Sequence, residues 1–598
     1  MIATNLVRRV VPTWRRHGRS AVNNYRTMSS GSVDFSSAEN TNAFADHCDL
    51  NLAYSPYPPV PEGPYEPLAE FVMQDWKGHN PNGGFLGEQI AIRDTATSMT
   101  RSFDDYYNIA TQVGAVLLDD YAIEEDQCVA LYCPNHCDYL PISLAVALCG
   151  SKLTPINPLY TRSELSTVLQ KSRSKVLFVH VSKLDVALES VQQDCPGIEK
   201  IVVITDEASE GIPEGTVNLK DLLDNPDKRL TKTRRVMHKH TKTHPYLLPY
   251  SSGTTGQPKG VCLTHENMVV NLLQFHEIEG LAFAPDHKLI SPLPFFHIYA
   301  FELSMIHTAW KGHELITSSG RFDLEEFCQT VQEHKPERSH LVPPIMLGLG
   351  KHPIVDKYDM SSLKTIISAA APLGEDNENA VKKRFDGICV KQGWGMSELS
   401  PLGTLNSDFN AKPGSVGPLC PNTFGKVVGE DGKSLPPNES GELLIKGPQV
   451  MMGYLDDHDK TAECLSHSGW LRTGDIAHYD EDGYFYITDR IKELIKVRGF
   501  QVAPAELEAL LLTHEAVNDV AVIQVPDEES GEVPRAYVVL KDTHASVTDE
   551  DIKEWVKGLV APYKRLEGGV IFTDVIPKSA SGKILRRILR DQVKEEFA

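Results

Sequence analysis

The run Ser251-Ser252-Gly253-Thr254-Thr255-Gly256, continued by Gln257-Pro258-Lys259-Gly260, combines the groups that can hold a phosphate chain. Gly253, Gly256 and Gly260 let the backbone turn tightly and bring N–H groups toward an anion. The hydroxyls of Ser251, Ser252, Thr254 and Thr255 add donors, and Lys259 adds a point charge. A short apolar strand, Leu247 to Tyr250, leads into the loop. A flexible Ser/Gly linker does not account for such a succession directly after a strand. The loop is not of Walker type, because Lys259 follows a proline and precedes a glycine. Nucleotide phosphates are the expected ligand.

Further along, other residues carry groups that could bind ions or polar ligands. Glu398 is a hard oxygen donor suited to Mg2+. Asp475 can accept two hydrogen bonds, Trp394 offers a flat face, and Lys583 follows Gly582 in a turn. Taken singly, each has an ordinary reading. Asp475 would be a turn residue, Glu398 a surface carboxylate, Lys492 and Lys496 solvated charges, and His297, after two phenylalanines, a core histidine. Their company changes the reading.

Five segments in order resemble the signatures of the adenylate-forming superfamily: acyl-CoA synthetases, luciferases and the adenylation domains of peptide synthetases. Tyr250–Gly260 is similar to its phosphate loop, and Gly393-Trp394-Gly395-Met396-Ser397-Glu398 to its adenine and metal motif. Gly469 to Asp475 resembles the ribose motif, Asp489 to Glu508 the hinge and thioester-forming loop, and Pro577 to Lys583 the terminal lysine motif. The similarity runs from about Tyr65 onward and points to the 4-coumarate–CoA ligase branch. It implies ATP, Mg2+ and coenzyme A, with a small-molecule carboxylic acid as substrate. Residues implied in ATP or AMP binding are Ser251, Ser252, Gly253, Thr254, Thr255, Gly256, Lys259, Gln392, Gly393, Trp394, Ser397, Asp475, Arg490, Lys492 and Gln501, with Glu398 on the metal. Lys583 is implied in adenylation and Lys496 in thioester formation, on different faces of a small domain that rotates about Lys492. His297 is implied as the gate of an acyl pocket lined by Tyr299, Leu303 and Ala369, and Arg321, Arg498 and Gly499 as contacts for coenzyme A.

The pocket departs from the plant coumarate pattern. Glu302 and Leu303 stand where the plant pattern has Asn-Ser after His-Ile-Tyr-Ala-Leu, and Ala369 replaces a glycine. The expected pocket is smaller and more apolar, with fewer partners for a ring hydroxyl, which suits a hydroxyl-free aryl acid or a medium-chain fatty acid. A luciferase-like oxygenase and a catalytically inactive nucleotide-binding protein are the alternatives.

The elements that must position these groups follow from pattern and length. At 598 residues the chain needs two or more domains. From Leu68 to Leu230 short β-branched runs such as Lys175–His180 and Lys200–Thr205 alternate with helical patterns, which predicts parallel α/β layers. After Asp489 the pattern changes. It predicts a helix over Pro504–Leu512, strands over Val517–Val525 and Arg535–Leu540, and a helix over Asp549–Val560. The fold class is therefore α/β, with a large multi-sheet adenylation domain (34–488) and a small mobile α+β domain (489–598). Cys133 and Cys137 read as buried small apolar residues, and His238, His240 and His244 as a solvated basic run rather than a metal site.

A net charge of −22 argues against nucleic acid as a partner, and the apolar run Leu140–Cys149 is too short to span a bilayer. The charge is uneven. No acid precedes Asp34, but Arg8, Arg9, Arg15, Arg16, Arg19 and Arg26 do, with Ile2, Leu6, Val10 and Trp14 at near-helical spacing. Residues 1–33 thus carry the composition of an organelle transit peptide, mitochondrial ahead of plastid, with a cytoplasmic location as the alternative.

Overall fold

In the computed structural model, four parallel strands stand in the order Lys152–Ile156, Cys128–Tyr132, Ser174–His180, Lys200–Ile204. The helices Tyr139–Leu148, Arg162–Ser172 and Leu184–Gln193 connect them. The central strand Cys128–Tyr132 is buried at every position, as a strand covered on both faces must be. The structure describes residues 51–74, 76, 86–205, 212–230, 241–251, 258–280, 282–284, 286–371, 373–498, 500–527, 529–541, 547–579 and 582–596, all within one compact unit, 48–598. The leader lies outside them. The strands expected at Lys175–His180 and Lys200–Thr205 are both present, and the apolar run after Tyr139 forms a wholly buried helix. Among the described residues no helix is long and apolar enough to cross a membrane.

A second sheet runs parallel through Ile90–Asp94, Leu315–Thr317, Leu289–Ile290, Arg338–Leu341, Thr365–Ser368 and Cys389–Gly395, with the antiparallel edge Leu402–Leu405. A third, antiparallel sheet contains Phe424–Val428, Gly441–Lys446, Leu471–Tyr479 and Phe485–Arg490. The apolar core shared by these layers ends at Phe485, and a separate one begins at Ile495. The latter packs Ile495–Val497, Val517–Asp527 and Gly531–Leu540 against the helices Pro504–Leu511 and Asp549–Lys557. Pro504 opens the first of these helices, where its missing N–H has no partner to lose.

One helix ties the nucleotide motifs together. His265–Glu279 follows directly on the strand Lys259–Thr264, and Thr264 caps it, exchanging bonds with Asn267 at 3.0 and 3.1 Å. Asn267, Asn271 and Gln274 fall on one face at i, i+4 and i+7. Asn267 donates to the carbonyls of Pro448 and Val450 at 2.8 and 3.0 Å. Asn271 donates to the Leu402 carbonyl at 3.1 Å and accepts from its N–H at 3.0 Å. Gln274 donates to Pro421 O at 2.6 Å. Asn271 and Gln274 are fully buried, so these bonds have no water to replace them.

Replacing Asn271 by leucine keeps the volume but orphans the Leu402 N–H. We expect a loss of about 1–3 kcal/mol, read as a lower melting temperature; an unchanged melt would refute the seam's contribution.

Candidate active site

Ser252 to Gln257 lie outside the described residues, as do Gly499 and the side chains of Ser251 and Gln501, so Gly253, Thr254, Thr255 and Gly256 are not described. The loop's two ends are. Tyr250–Ser251 pairs antiparallel with Lys259–Gly260, which closes the loop at its base. Lys259 Nζ lies 4.9 Å above the ring of Tyr454, a cation–π arrangement. The Tyr454 hydroxyl donates to Glu398 Oε1 at 2.7 Å. Glu398 belongs to the single turn Ser397–Leu399, which follows the strand Cys389–Gly395. A side chain at Gly395 would collide with the Pro401 carbonyl, so the chain can double back there only with glycine. Among the described residues Glu398 Oε2 takes no hydrogen bond, which leaves a hard oxygen donor suited to Mg2+. Gln392 is engaged structurally: it accepts from Leu373 N at 3.2 Å and donates to Glu378 at 3.1 Å.

Asp475 lies in the strand Leu471–Tyr479, opposite Arg490 in the neighbouring strand, and is 4% exposed. Its Oδ2 accepts from Trp394 Nε1 at 2.9 Å, and Oδ1 lies 3.3 Å from Arg490 Nε. The indole expected to offer a face thus also uses its edge, to orient the ribose-type acid. Each carboxylate oxygen keeps a lone pair for a further donor.

Lys583 comes to the same place from the far end of the chain. Gly582 before it has φ +78°, and an added Cβ would lie 3.3 Å from Pro344 and 3.4 Å from Val342. The turn therefore rests on the large domain where only glycine fits. Burial, and then the nearby Arg490, pull the lysine down to about 8, against the opposing pull of Asp475 and Glu493. Burial, and then Lys583, hold the His297 imidazole down at about 4, so it is neutral. His297 Nδ1 accepts from Tyr299 N at 3.3 Å. Lys583, Asp475, Arg490 and His297 are in this way brought together from four segments.

Around the expected acyl pocket, Tyr299 and the buried Leu303 occupy a π-helical stretch, Tyr299–Ile306, a local widening frequent at functional sites. The Tyr299 hydroxyl donates to Ile367 O at 3.2 Å, two residues before Ala369. Sequence reasoning missed His340. Its ring stacks on Tyr299 at 5.8 Å and takes a 2.9 Å bond with Ser304. Burial, with Arg338 and Lys391 nearby, holds it at about 3. Nothing in its sequence neighbourhood marks it. Tyr454 was also missed, although Gly453-Tyr454 closes a glycine-bearing apolar run. Glu302 is fully buried, neither carboxyl oxygen has a hydrogen bond, and burial pushes its proton affinity well above the usual range.

Other expected site residues stand apart from this cluster. Lys496 is exposed on the strand Ile495–Val497, with its backbone N–H donating to Glu532 at 2.8 Å. Arg498 donates to Ser530 Oγ at 3.1 Å, Lys492 is exposed in the turn before that strand, and Arg321 is exposed ahead of the helix Leu324–His334. The basic run needs a correction: His238 and His240 lie outside the described residues, but His244 is buried rather than solvated. The strand Pro245–Leu247 begins right after it and carries it inward, where it bonds Gly150 O at 3.0 Å beside Asp126. Cys133 and Cys137 are buried as expected.

Residues 86–455 match the family described as AMP-binding enzyme, and residues 506–583 the AMP-binding enzyme C-terminal domain. A probable 4-coumarate–CoA ligase 1 of Dictyostelium discoideum is 38% identical over 79% of this chain and 87% of its own length. 4-Coumarate–CoA ligase 1 of Petroselinum crispum is 35% identical over 85% of this chain and 92% of its own. Among solved structures, the anthranilate CoA ligase AuaEII in complex with anthranoyl-AMP superposes with a TM-score of 0.79 at 25% identity, covering 89% of this chain and 98% of that one. ATP-bound MatB from Rhodopseudomonas palustris gives 0.77 at 26% identity, covering 89% of this chain and all of that one. With the phosphate-loop base, the Trp394–Asp475 pair and the buried Lys583 in one fold, the chain belongs to the AMP-binding, adenylate-forming family of enzymes.

Proposed function

We propose that this AMP-forming acid–CoA ligase works in two half-reactions served by opposite faces of its small domain. The observation that carries this reading is the burial of Lys583 beside Asp475, Arg490 and His297 while Lys496 stands exposed elsewhere on the same domain. In the first half-reaction an oxygen of the acid's carboxylate bonds to the α-phosphorus of ATP, and the bond to pyrophosphate breaks. Positioning and charge stabilisation are what such a transfer needs. Thr254, Thr255 and Lys259 hold the β- and γ-phosphates, Ser397 the α-phosphate, Trp394 the adenine, and Asp475 with Arg490 the ribose. Lys583 offsets the charge that develops on phosphorus. Mg2+ held by Glu398 would neutralise phosphate oxygens. In the second, the small domain turns about Lys492, Lys496 replaces Lys583, and Gly499 opens space for pantetheine, with Arg321 and Arg498 on coenzyme A. The thiol sulfur bonds to the acyl carbon and AMP leaves.

For the substrate we favour a hydroxyl-free aryl acid of cinnamate type or a medium-chain fatty acid. The coumarate-ligase relatives and the anthranoyl-AMP complex support an aryl acid. Leu303 offers an isobutyl group in place of a hydroxyl, and Ala369 an added methyl. For the leader we favour mitochondrial import.

Lys583 must be protonated to act, and its proton affinity is lowered to about 8, so its charge is lost as pH rises through that value. Adenylation should therefore fall above about pH 8, and Lys583→Arg, which stays charged, should move that limb upward. Lys583→Ala should abolish acid-dependent pyrophosphate release yet spare thioester formation from supplied acyl-adenylate. Parallel loss of both in a folded protein would sink the two-face reading.

A screen of cinnamates, benzoates and fatty acids by pyrophosphate release tests the pocket. A phenolic hydroxyl without a partner costs about 1–3 kcal/mol, so kcat/KM should favour a hydroxyl-free acid over 4-coumarate by roughly tenfold or more. Leu303→Ser with Ala369→Gly should narrow the gap mainly through KM. Preference for 4-coumarate over every hydroxyl-free acid would contradict the assignment.

Residues 1–40 fused to a fluorescent reporter should carry it to mitochondria; a diffuse cytosolic signal would argue against import.

A further inference from the structure

The segment Met451–Leu455 touches both halves of the nucleotide site. Met451 N donates to Glu398 O at 2.8 Å. Met452 N donates to Cys262 O at 3.0 Å and Leu455 N to Gly260 O at 2.8 Å. Between these two bonds, Gly453–Tyr454 pairs antiparallel with the strand Lys259–Thr264, Tyr454 standing opposite Val261. Tyr454 N donates in turn to Thr461 Oγ1 at 2.9 Å. At Gly453 φ is +150°, and an added Cβ would approach Thr461 Cγ2 to 2.9 Å, so the backbone there admits only glycine without strain. Asn267 bonds the carbonyls of Pro448 and Val450 just upstream, which joins the segment to the capped helix as well.

Every backbone restraint on this short strand therefore fixes one side chain. The Tyr454 hydroxyl reaches Glu398 Oε1 at 2.7 Å, and its ring face lies 4.9 Å under Lys259 Nζ. A single phenol thus meets both the carboxylate suited to the cation and the ammonium at the base of the phosphate loop. Held through one oxygen by the phenol, the carboxylate keeps its second oxygen without a hydrogen bond among the described residues, and the ammonium over the ring face makes no ion pair with it there. Two opposite charges that collapsed onto each other would be poor receptors for a cation and a polyphosphate. A phenol between them keeps them apart and aimed.

We propose that Tyr454 is a positioning residue for adenylation, holding Glu398 and Lys259 in a preset relation so that the divalent cation and the β- and γ-phosphates meet a prepared pair of charges. The role rests on the adenylation reading given above. It concerns the first half-reaction alone, because neither Glu398 nor Lys259 has work to do once pyrophosphate has left.

Tyr454→Phe keeps the ring beneath Lys259 and deletes the donor to Glu398. It should raise the magnesium concentration that half-saturates pyrophosphate release by about tenfold, the scale of one hydrogen bond to a charged group. The KM for the carboxylic acid, and thioester formation from supplied acyl-adenylate, should stay at wild-type values. The rise in melting temperature given by magnesium with α,β-methylene-ATP should shrink, while the ligand-free melt is unchanged. Tyr454→Leu removes the ring too and should add a rise in the KM for ATP. A phenylalanine variant with the wild-type magnesium response, or one that loses both half-reactions alike, overturns the role. Wild-type protein that releases no pyrophosphate with any acid overturns the adenylation reading itself, and the role with it.

Discussion

Buried amide side chains on one helix face hold the nucleotide site in register. Asn267, Asn271 and Gln274 reach the 448–450 segment, the edge strand at Leu402 and the turn at Pro421 from a helix that starts where the strand after the phosphate loop ends. None of those segments is near the helix in sequence. Apolar packing alone would let them slide by an ångström with little change in buried area. A directional bond in a dry interior does not, because a displaced amide leaves donors and acceptors unpaired on both sides. The motifs of the site are far apart along the chain and close in space because this seam fixes them.

Charge is handled in the same spirit. Arg338 and Lys391, both buried on strands of the second sheet, are each paired with Glu279 and Asp408. Removing one partner from such a set leaves an uncompensated charge, so the network resists piecemeal change. It also bears on the expected acyl pocket, since Arg338 and Lys391 help keep His340 neutral against Tyr299. Asp475 is steadied by an indole edge and a guanidinium and stays available to a ligand.

Much of this was legible in the sequence, and the divide is physical. The alternation of strands and helices and the helix at Pro504 are set by neighbours a few residues apart, which spacing reveals. The strand expected to start at Arg535 begins instead at Gly531, because Glu532 and Pro534 interrupt the β-branched pattern while the long hairpin partner Val517–Asp527 still pairs them. The pairs Trp394–Asp475 and Tyr454–Glu398, and the stacking of His340 on Tyr299, join residues whose meeting depends on the whole fold. His244 looked solvated among its basic neighbours, and only the direction of the next strand determines otherwise.

The nearness of Lys583 to His297 ties the proton affinity of an imidazole to a residue from the far end of the chain. Two influences hold that ring neutral, its burial and the ammonium beside it. The second belongs to the small domain, and in the rotation proposed above it would leave with that domain. Under that rotation His297 would become more basic as the lysine withdraws. The neutrality of that ring thus depends in part on the turn of glycine and lysine that rests on Pro344 and Val342.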